Sequence, residues 1–166
     1  MLPNFLVLAI CAFIPMITGI FYFHTNVMGK LFQAEINSKT DSFTPNLQWY
    51  HWLFQFILYF LLAFGVYLIT VHHTHVLALT GPDIAAFKTG TAAAFMAEYG
   101  GNFRTFEHGI SHGLVIGTLF FALPIMARVT IYEGKSLKYL LIYSLYWGIN
   151  LILMACIISK WGSIEV

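Results

Sequence analysis

The segment LLIYSLYWGINLILMACIIS, Leu140–Ser159, decides the fold class of this chain. It contains no charged side chain, and Lys138 and Lys160 flank it. About 20 predominantly apolar residues in a helix cross the hydrocarbon core of a bilayer. Three further charge-free spans precede it, namely Leu2–Gly29, Ser42–Pro82 and His108–Ala127. Each is long enough to cross a membrane as a helix, which is the open-chain element that satisfies its own backbone in lipid.

The composition of the whole chain agrees with this interpretation. Of its 166 residues, 59% are hydrophobic and 9% are charged, whereas a soluble domain has about 25% charged residues. We therefore predict an all-α, polytopic integral membrane protein, with residues 1–166 forming a single transmembrane domain. Its four-helix bundle is expected to have helices at about 4–23, 45–80, 107–127 and 139–159.

The second predicted helix is longer than a membrane requires. A start at Thr44-Pro45 and an end at Gly81-Pro82 give about 54 Å of helix, against a hydrocarbon core of about 30 Å. Trp49 and Trp52 fit the membrane interface at its start. The helix is therefore expected to tilt, to break or to project beyond the bilayer, and, with the tryptophans at its start, the projecting part is its C-terminal end. A short interfacial helix, about 83–99, is expected next, with Asp83 able to cap its start.

Four crossings place both termini and the 83–107 connection on one side of the membrane. Lys and Arg count three there (Lys88, Arg104, Lys160) and five on the other side (Lys30, Lys39, Arg128, Lys135, Lys138). The positive-inside rule then predicts termini outside the cytoplasm of a bacterial inner membrane. The first span is expected to remain as a helix, because it lacks the positive n-region and small-residue cleavage site of a signal peptide.

Most of the seven histidines group at one predicted membrane boundary. His72, His73 and His75 fall at the end of the second helix, and His108 and His112 at the start of the third. Positions i and i+4 share a helix face, so His108 and His112 can present two imidazoles together.

The expected ligands of a metal ion are His72, His75, His108 and His112. Imidazole is a ligand for Zn, Cu, Fe and Ni. Glu107 or Asp83 can add a further ligand or orient an imidazole. Haem held by two axial histidines is a second possibility, and a proton relay is a third, since ionisable groups at membrane depth are costly and often functional. The alternative without a site is that these rings serve as interfacial or helix-bridging groups.

Glycines accompany these histidines along the third helix. Gly109, Gly113 and Gly117 repeat every four residues, and small-xxx-small spacing lets two membrane helices approach closely. The pattern predicts helix packing along this ridge. It leaves open whether the partner helix belongs to the same chain or to a second copy.

Other features give little support to a nucleic-acid partner, a disulfide framework or a transport path. The net charge of +1 gives no argument for a nucleic-acid partner. Cys11 and Cys156 both fall inside spans, so a disulfide framework is not expected. A transport path would need polar groups through the bilayer centre, where the helices offer Thr18, Thr118 and Asn150.

Two segments resemble a known family. They are PMITGIFYFHTNVMGKLF, Pro15–Phe32, and the stretch from Phe103 to Met154 that contains EHGISHG and ALP. Together they are similar to the domain of unknown function 1761 family of small bacterial membrane proteins. The positions that match its pattern are Gly19, Tyr22, Gly29, Lys30, His108, Gly109, His112, Gly113 and Pro124. The resemblance implies a four-helix membrane protein and implies no reaction.

These observations favour a non-enzymatic membrane module in contact with the lipid bilayer. Its leading role is to pack with a second copy or a larger membrane complex through the glycine ridge. A metal- or haem-binding membrane protein, possibly a redox enzyme, is the alternative, and a small transporter or proton channel is the second alternative.

Overall fold

The computed structural model describes residues 2–36, 48–80 and 89–164. Within them the chain is all-α apart from one pair of two-residue strands. The elements are β1 Leu2–Pro3, α1 Phe5–Tyr22, a π-helical turn Thr25–Gly29, α2 Lys30–Glu35, α3 Trp49–Thr70, α4 His73–Thr80, α5 Gly90–Tyr99, α6 Phe106–Tyr132, α7 Leu137–Trp161 and β2 Ser163–Ile164. In this described part, α1, α3, α6 and α7 are long and apolar enough to cross a membrane. The predicted fold class is confirmed.

The last helix, α7, forms the centre of the bundle. It contacts α1, α3 and α6, and its side chains Asn150, Met154 and Ile158 are completely buried. Leu8 and Tyr67 pack in the same core from α1 and α3. By contrast, α3 approaches α6 chiefly over Phe106–His112. The second and third spans are therefore neighbours at one end, and α7 packs against both of them.

The second predicted helix, for which the sequence left tilting, breaking and projection open, breaks after Thr70. The α3 helix ends at Thr70, Val71 has an extended backbone with ψ of 102°, and α4 begins at His73. The Val71 amide still bonds to the Tyr67 carbonyl, but the Thr74 amide bonds to the carbonyl of Val71. The α-helical register, which would pair Thr74 with Thr70, is lost at this point.

The third span, α6, contains a long π-helical stretch. Residues Gly113–Ala122 have this wider winding, and α-helix resumes at Leu123–Tyr132 with Pro124 in its first turn. The Thr118 hydroxyl donates to the Gly113 carbonyl at 3.0 Å. The helix ends five positions beyond the predicted 127, at Tyr132.

Contacts between distant segments tie together the loops at each end of the bundle. At one end, β1 pairs with β2 in antiparallel register, and Arg104 donates to the Ser163 carbonyl at 3.3 Å. At the other end, Lys138 lies 3.7 Å from Glu35, which also accepts from Ser136. The termini and the segment before α6 therefore share one end of the bundle.

Part of the predicted loop structure lies outside the described residues. This applies to the Thr44-Pro45 start, the Gly81-Pro82 end and the Asp83 cap. The short helix between the second and third spans occupies Gly90–Tyr99 in the described part, within the predicted 83–99.

Candidate functional site

Three histidines come together where α3 ends and α6 begins. One ring nitrogen from each of His72, His108 and His112 lies within 4.8 Å of those of the other two. The ring centroids are 4.8 Å apart for His72 and His108, and 4.3 Å apart for His108 and His112. All three side chains are half-buried. We call these three residues the histidine cluster.

The break after α3 positions the first of these rings. His72 is the residue between α3 and α4, so its side chain is not confined to the face of either helix. Phe103, from the loop before α6, packs against His72 and His108 with centroid distances of 5.2 and 5.1 Å. An aromatic side chain therefore covers one flank of the cluster.

The same break gives His108 its hydrogen-bond partner. The Thr70 carbonyl does not accept the hydrogen bond from the Thr74 amide that a continuous helix would give it. His108 Nε2 lies 3.1 Å from the Thr70 carbonyl oxygen instead. A carbonyl oxygen only accepts, so His108 Nε2 carries the proton and Nδ1 keeps a lone pair. This is the arrangement of a metal-ligating histidine, which donates its other N–H to a backbone carbonyl or a carboxylate.

Glycine packing sets the position of His108 and His112. A Cβ on Gly109 would lie 2.4 Å from the Cα of Cys156, and a Cβ on Gly113 would lie 2.4 Å from the Cα of Ile152. Because no real Cβ fits at such distances, α6 and α7 touch backbone to backbone here. Gly117 continues the contact, since a Cβ there would lie 3.0 Å from the Cβ of Leu151. The helix on which the glycine ridge packs is thus α7 of the same chain.

His112 carries an unusual nitrogen. Its Nδ1 is buried and has no hydrogen-bond partner among the described residues. Burying a polar atom without a partner costs about 1–3 kcal/mol. A ligand or bound ion at this nitrogen would remove that cost.

The other two predicted members of the group lie beside the cluster. His75 Nδ1 is 3.4 Å from His72 Nδ1, so one ring donates to the other, and His75 is exposed. His73 is buried, and its Nε2 donates to the Gly100 carbonyl at 2.6 Å. His73 therefore links α4 to the end of α5 and lies next to the cluster without belonging to it.

The charge state of His72 suits a metal ligand. Burial, together with the neighbouring histidines His108, His75 and His73, lowers the pKa of His72 below its ordinary value. The neutral form, which binds metals, is therefore favoured at neutral pH.

Carboxylates do not complete the cluster among the described residues. Glu107 is exposed, and its charged neighbour is Lys160 of α7. Within the described residues, the group of side chains spaced to hold a metal ion consists of the three histidines. Glu107 is therefore not part of the three-histidine group. Asp83 lies outside the described residues.

The geometry favours a bare ion over haem. Tetrahedral coordination at about 2.0–2.1 Å puts ligand nitrogens about 3.3 Å apart. The ring nitrogens of the cluster lie within 4.8 Å of one another, so they need to approach one another by about 1.5 Å or less to bind an ion. Axial haem ligands must face each other across a porphyrin plane. The rings of this cluster pack against one another instead, with centroids 4.3–5.4 Å apart.

The polar groups suggested for a transport path lie in helix contacts. Thr18 donates to Asn150 Oδ1 at 2.5 Å, and Asn150 Nδ2 donates to the Tyr146 carbonyl at 2.7 Å. Asn150 is fully buried, and Thr118 is bonded to the Gly113 carbonyl. Their contacts explain them as links between and within helices.

Comparison with known proteins gives one finding. The family described as "Protein of unknown function (DUF1761)" matches residues 6–159. The chain belongs to this family. Among curated proteins and among solved structures, none matches the chain.

Several positions that match the DUF1761 pattern have clear physical reasons in this member. A Cβ on Gly29 would lie 2.3 Å from the Phe23 carbonyl oxygen, so the chain can turn between α1 and α2 only with glycine there. Gly19 lies against the hydroxyl of Tyr146, and the Tyr22 hydroxyl donates to the Ile142 carbonyl at 2.8 Å. Lys30 is exposed. Gly19 and Tyr22 thus join α1 to α7, and their role is in helix packing.

Sequence reasoning missed two parts of this DUF1761 site. They are the Thr70 carbonyl and the Phe103 ring. The first depends on a helix break for which LITVHHTH, with no proline or glycine, gives no signal, and the second lies in a loop without a motif.

Proposed function

We propose that this DUF1761 protein binds one transition-metal ion at its histidine cluster, with His72, His108 and His112 as the protein ligands. The observation that carries the proposal is the approach of three ring nitrogens, two from α6 and one from the break between α3 and α4, to within 4.8 Å of one another. The protonated Nε2 of His108 on the Thr70 carbonyl and the unpartnered Nδ1 of His112 support it.

The ligand set limits the kind of metal. Three neutral imidazoles without a thiolate or carboxylate suit Zn²⁺, Cu, Ni²⁺ or Fe²⁺, and do not suit Mg²⁺ or Ca²⁺, which prefer oxygen. Three protein ligands leave a fourth position of a tetrahedral ion open to water or another molecule, as in catalytic zinc sites.

The experiment uses Co²⁺ as a spectroscopic substitute for zinc. The detergent-purified full chain is stripped with a chelator and titrated with Co²⁺, with bound metal counted by elemental analysis. We expect one ion per chain and visible absorption typical of tetrahedral coordination. His72→Ala, His108→Ala and His112→Ala are each expected to reduce the affinity by about 10–100-fold or more.

A control histidine separates the cluster from general histidine chemistry. His51 lies at the start of α3, at the opposite end of that helix, and its Nδ1 accepts from the Gln48 amide. His51→Ala is expected to bind Co²⁺ like the wild type. Failure of the folded wild-type protein to bind any of these metals stoichiometrically would overturn the proposal.

The proposal includes an orientation and allows for assembly. The excess of Lys and Arg in the other connections supports an outward-facing cluster in a bacterial inner membrane, on the side of the termini. Packing with a second copy or a larger complex remains a prediction. The glycine ridge contacts α7 of the same chain, so such an assembly would need a different surface.

A further inference from the structure

A groove inside the membrane-spanning part of the bundle leads to the histidine cluster. It has a volume of about 430 Å³ and lies between α3, α6 and α7. Its polar lining consists of Thr70 and His112 at the cluster end and the indole of Trp147. Everything else on its walls is glycine, alanine or a larger apolar side chain.

The arrangement of the helices produces this opening. The α3 helix meets α6 chiefly at Phe106–His112, whereas both helices contact α7. Gly65 of α3 lines the groove, and a Cβ there would meet no atom within 4 Å. The space beside Gly65 is therefore open, unlike the backbone contact at Gly113.

The size of the groove fits one hydrocarbon chain. Its lining residues on α6 run from His112 to Met126, through the whole π-helical stretch and into the α-helical turn that follows. At about 30 Å³ for a group the size of a water molecule or a methylene, 430 Å³ holds about 14 such groups. A single hydrocarbon chain entering from the bilayer matches this volume.

The charge of the occupied cluster indicates the head group. Three neutral imidazoles around a divalent ion leave its charge uncompensated at a half-buried position, which is costly without an anionic partner. The described part of the chain supplies no carboxylate there, since Glu107 is exposed towards Lys160. A carboxylate oxygen is an accepted ligand of zinc-type ions.

We propose that the groove binds a single-chain amphiphile of the long-chain fatty acid class, with its hydrocarbon chain between α3 and α6 and its carboxylate on the open position of the metal. This inference rests on the proposed metal site for its polar end. The groove itself supplies the apolar end.

The test uses a photoreactive palmitate analogue and the purified full chain in nanodiscs, with and without Co²⁺. Cross-linked peptides are identified by mass spectrometry. Gly65→Phe fills the open space in the groove, and Leu61→Phe, one turn away, places the same ring at a position that is 59% exposed and does not line the groove. We expect labelling of groove residues in the wild type and in Leu61→Phe. In Gly65→Phe it should be about tenfold weaker, as expected when about two buried methylene groups are displaced.

Metal binding is measured on the same samples, so that the two proposals fail separately. Gly65→Phe is expected to bind Co²⁺ like the wild type, and removal of Co²⁺ is expected to weaken groove labelling of the wild type.

Equal labelling of the two phenylalanine variants would overturn the groove assignment while leaving the metal site intact. Labelling confined to the outer faces, or a phospholipid or second chain cross-linked in the groove instead, would also overturn it. Groove labelling unchanged by Co²⁺ in a protein that binds the metal would overturn the carboxylate–metal contact. An absence of Co²⁺ binding would remove the proposed function and, with it, this contact.

Discussion

At the scale of single residues, His108 makes two different contributions. Its Nε2 donates to the Thr70 carbonyl, which the end of α3 leaves without its helical partner. Its other nitrogen keeps the lone pair that a metal would use. A structural role requires the first contribution only, and a metal-binding role requires both.

Substitution of this residue separates the two roles. In His108→Gln the side-chain amide can still donate to the Thr70 carbonyl, but the imidazole is gone. We expect His108→Gln to unfold at nearly the wild-type temperature in detergent and to lose Co²⁺ binding. His108→Ala is expected to lose Co²⁺ binding and also about 1–3 kcal/mol of stability, because the carbonyl is left unsatisfied. If His108→Gln binds Co²⁺ as tightly as the wild type, His108 is not a ligand.

The residue pattern predicts part of the cluster. His108 and His112 share a face because i and i+4 positions do so in any helix, and the sequence alone gives that pair. The sequence does not distinguish which of His72, His73 and His75 approaches that pair. Only the backbone break at Val71 decides that His72 joins the cluster while His73 turns to the Gly100 carbonyl.

At the scale of elements, the contact between α6 and α7 holds the site in place. The glycine ridge allows the two helices to meet backbone to backbone, on a different face of α6 from the one that carries His108 and His112 towards His72. The cluster therefore depends on the registration of α6 against α7.

A methyl group at the ridge tests this dependence. In Gly113→Ala the new Cβ would lie 2.4 Å from the Cα of Ile152, and this overpacking is expected to cost about 1–3 kcal/mol. Gly65→Ala is the matched control, since a Cβ there meets no atom within 4 Å and alanine favours helix. Thermal unfolding in detergent should show a lower midpoint for Gly113→Ala and an equal or higher one for Gly65→Ala. Equal midpoints for Gly113→Ala and the wild type would contradict the backbone contact.

Two departures from regular helix were not predictable from local sequence. The break at Val71 and the π-helical stretch Gly113–Ala122 occur without a proline at the break or within the stretch. At the break the His108 ring donates to the freed Thr70 carbonyl, and in the π-helical stretch the Thr118 hydroxyl donates to the Gly113 carbonyl. One of these partners comes from another helix, so helix propensity carries no information about that break.

At the scale of the whole molecule, the two ends of the bundle differ in chemistry. One end joins the termini, Arg104 and the histidine cluster, and the other joins Glu35 to Ser136 and Lys138. Within the described residues, the three histidines that could hold a metal ion lie at the end of the bundle that contains the termini. Membrane orientation therefore decides which compartment supplies the metal.

Reporter fusions measure this orientation. Because five of the eight Lys and Arg residues lie in the connections opposite the termini, we expect the C-terminus outside the cytoplasm. A C-terminal alkaline phosphatase fusion should be active, and a C-terminal green fluorescent protein fusion should be dark. A fusion at the Glu133-Gly134 turn, on the opposite side, serves as the internal control and should give the reverse pattern. The opposite result would place the histidine cluster on the cytoplasmic side.

The sequence by itself determined that the chain has four helices long and apolar enough to cross a membrane, because a helix satisfies its backbone within its own segment. It also determined that His108, His112 and the glycines share one short stretch of helix. Only the tertiary structure decided that the ridge packs on α7 of the same chain, that α3 ends at Thr70, and that His72 completes the cluster. Those outcomes depend on contacts between residues far apart in the chain, such as Gly113 with Ile152 and His108 with Thr70, and no local pattern encodes which distant groups will meet.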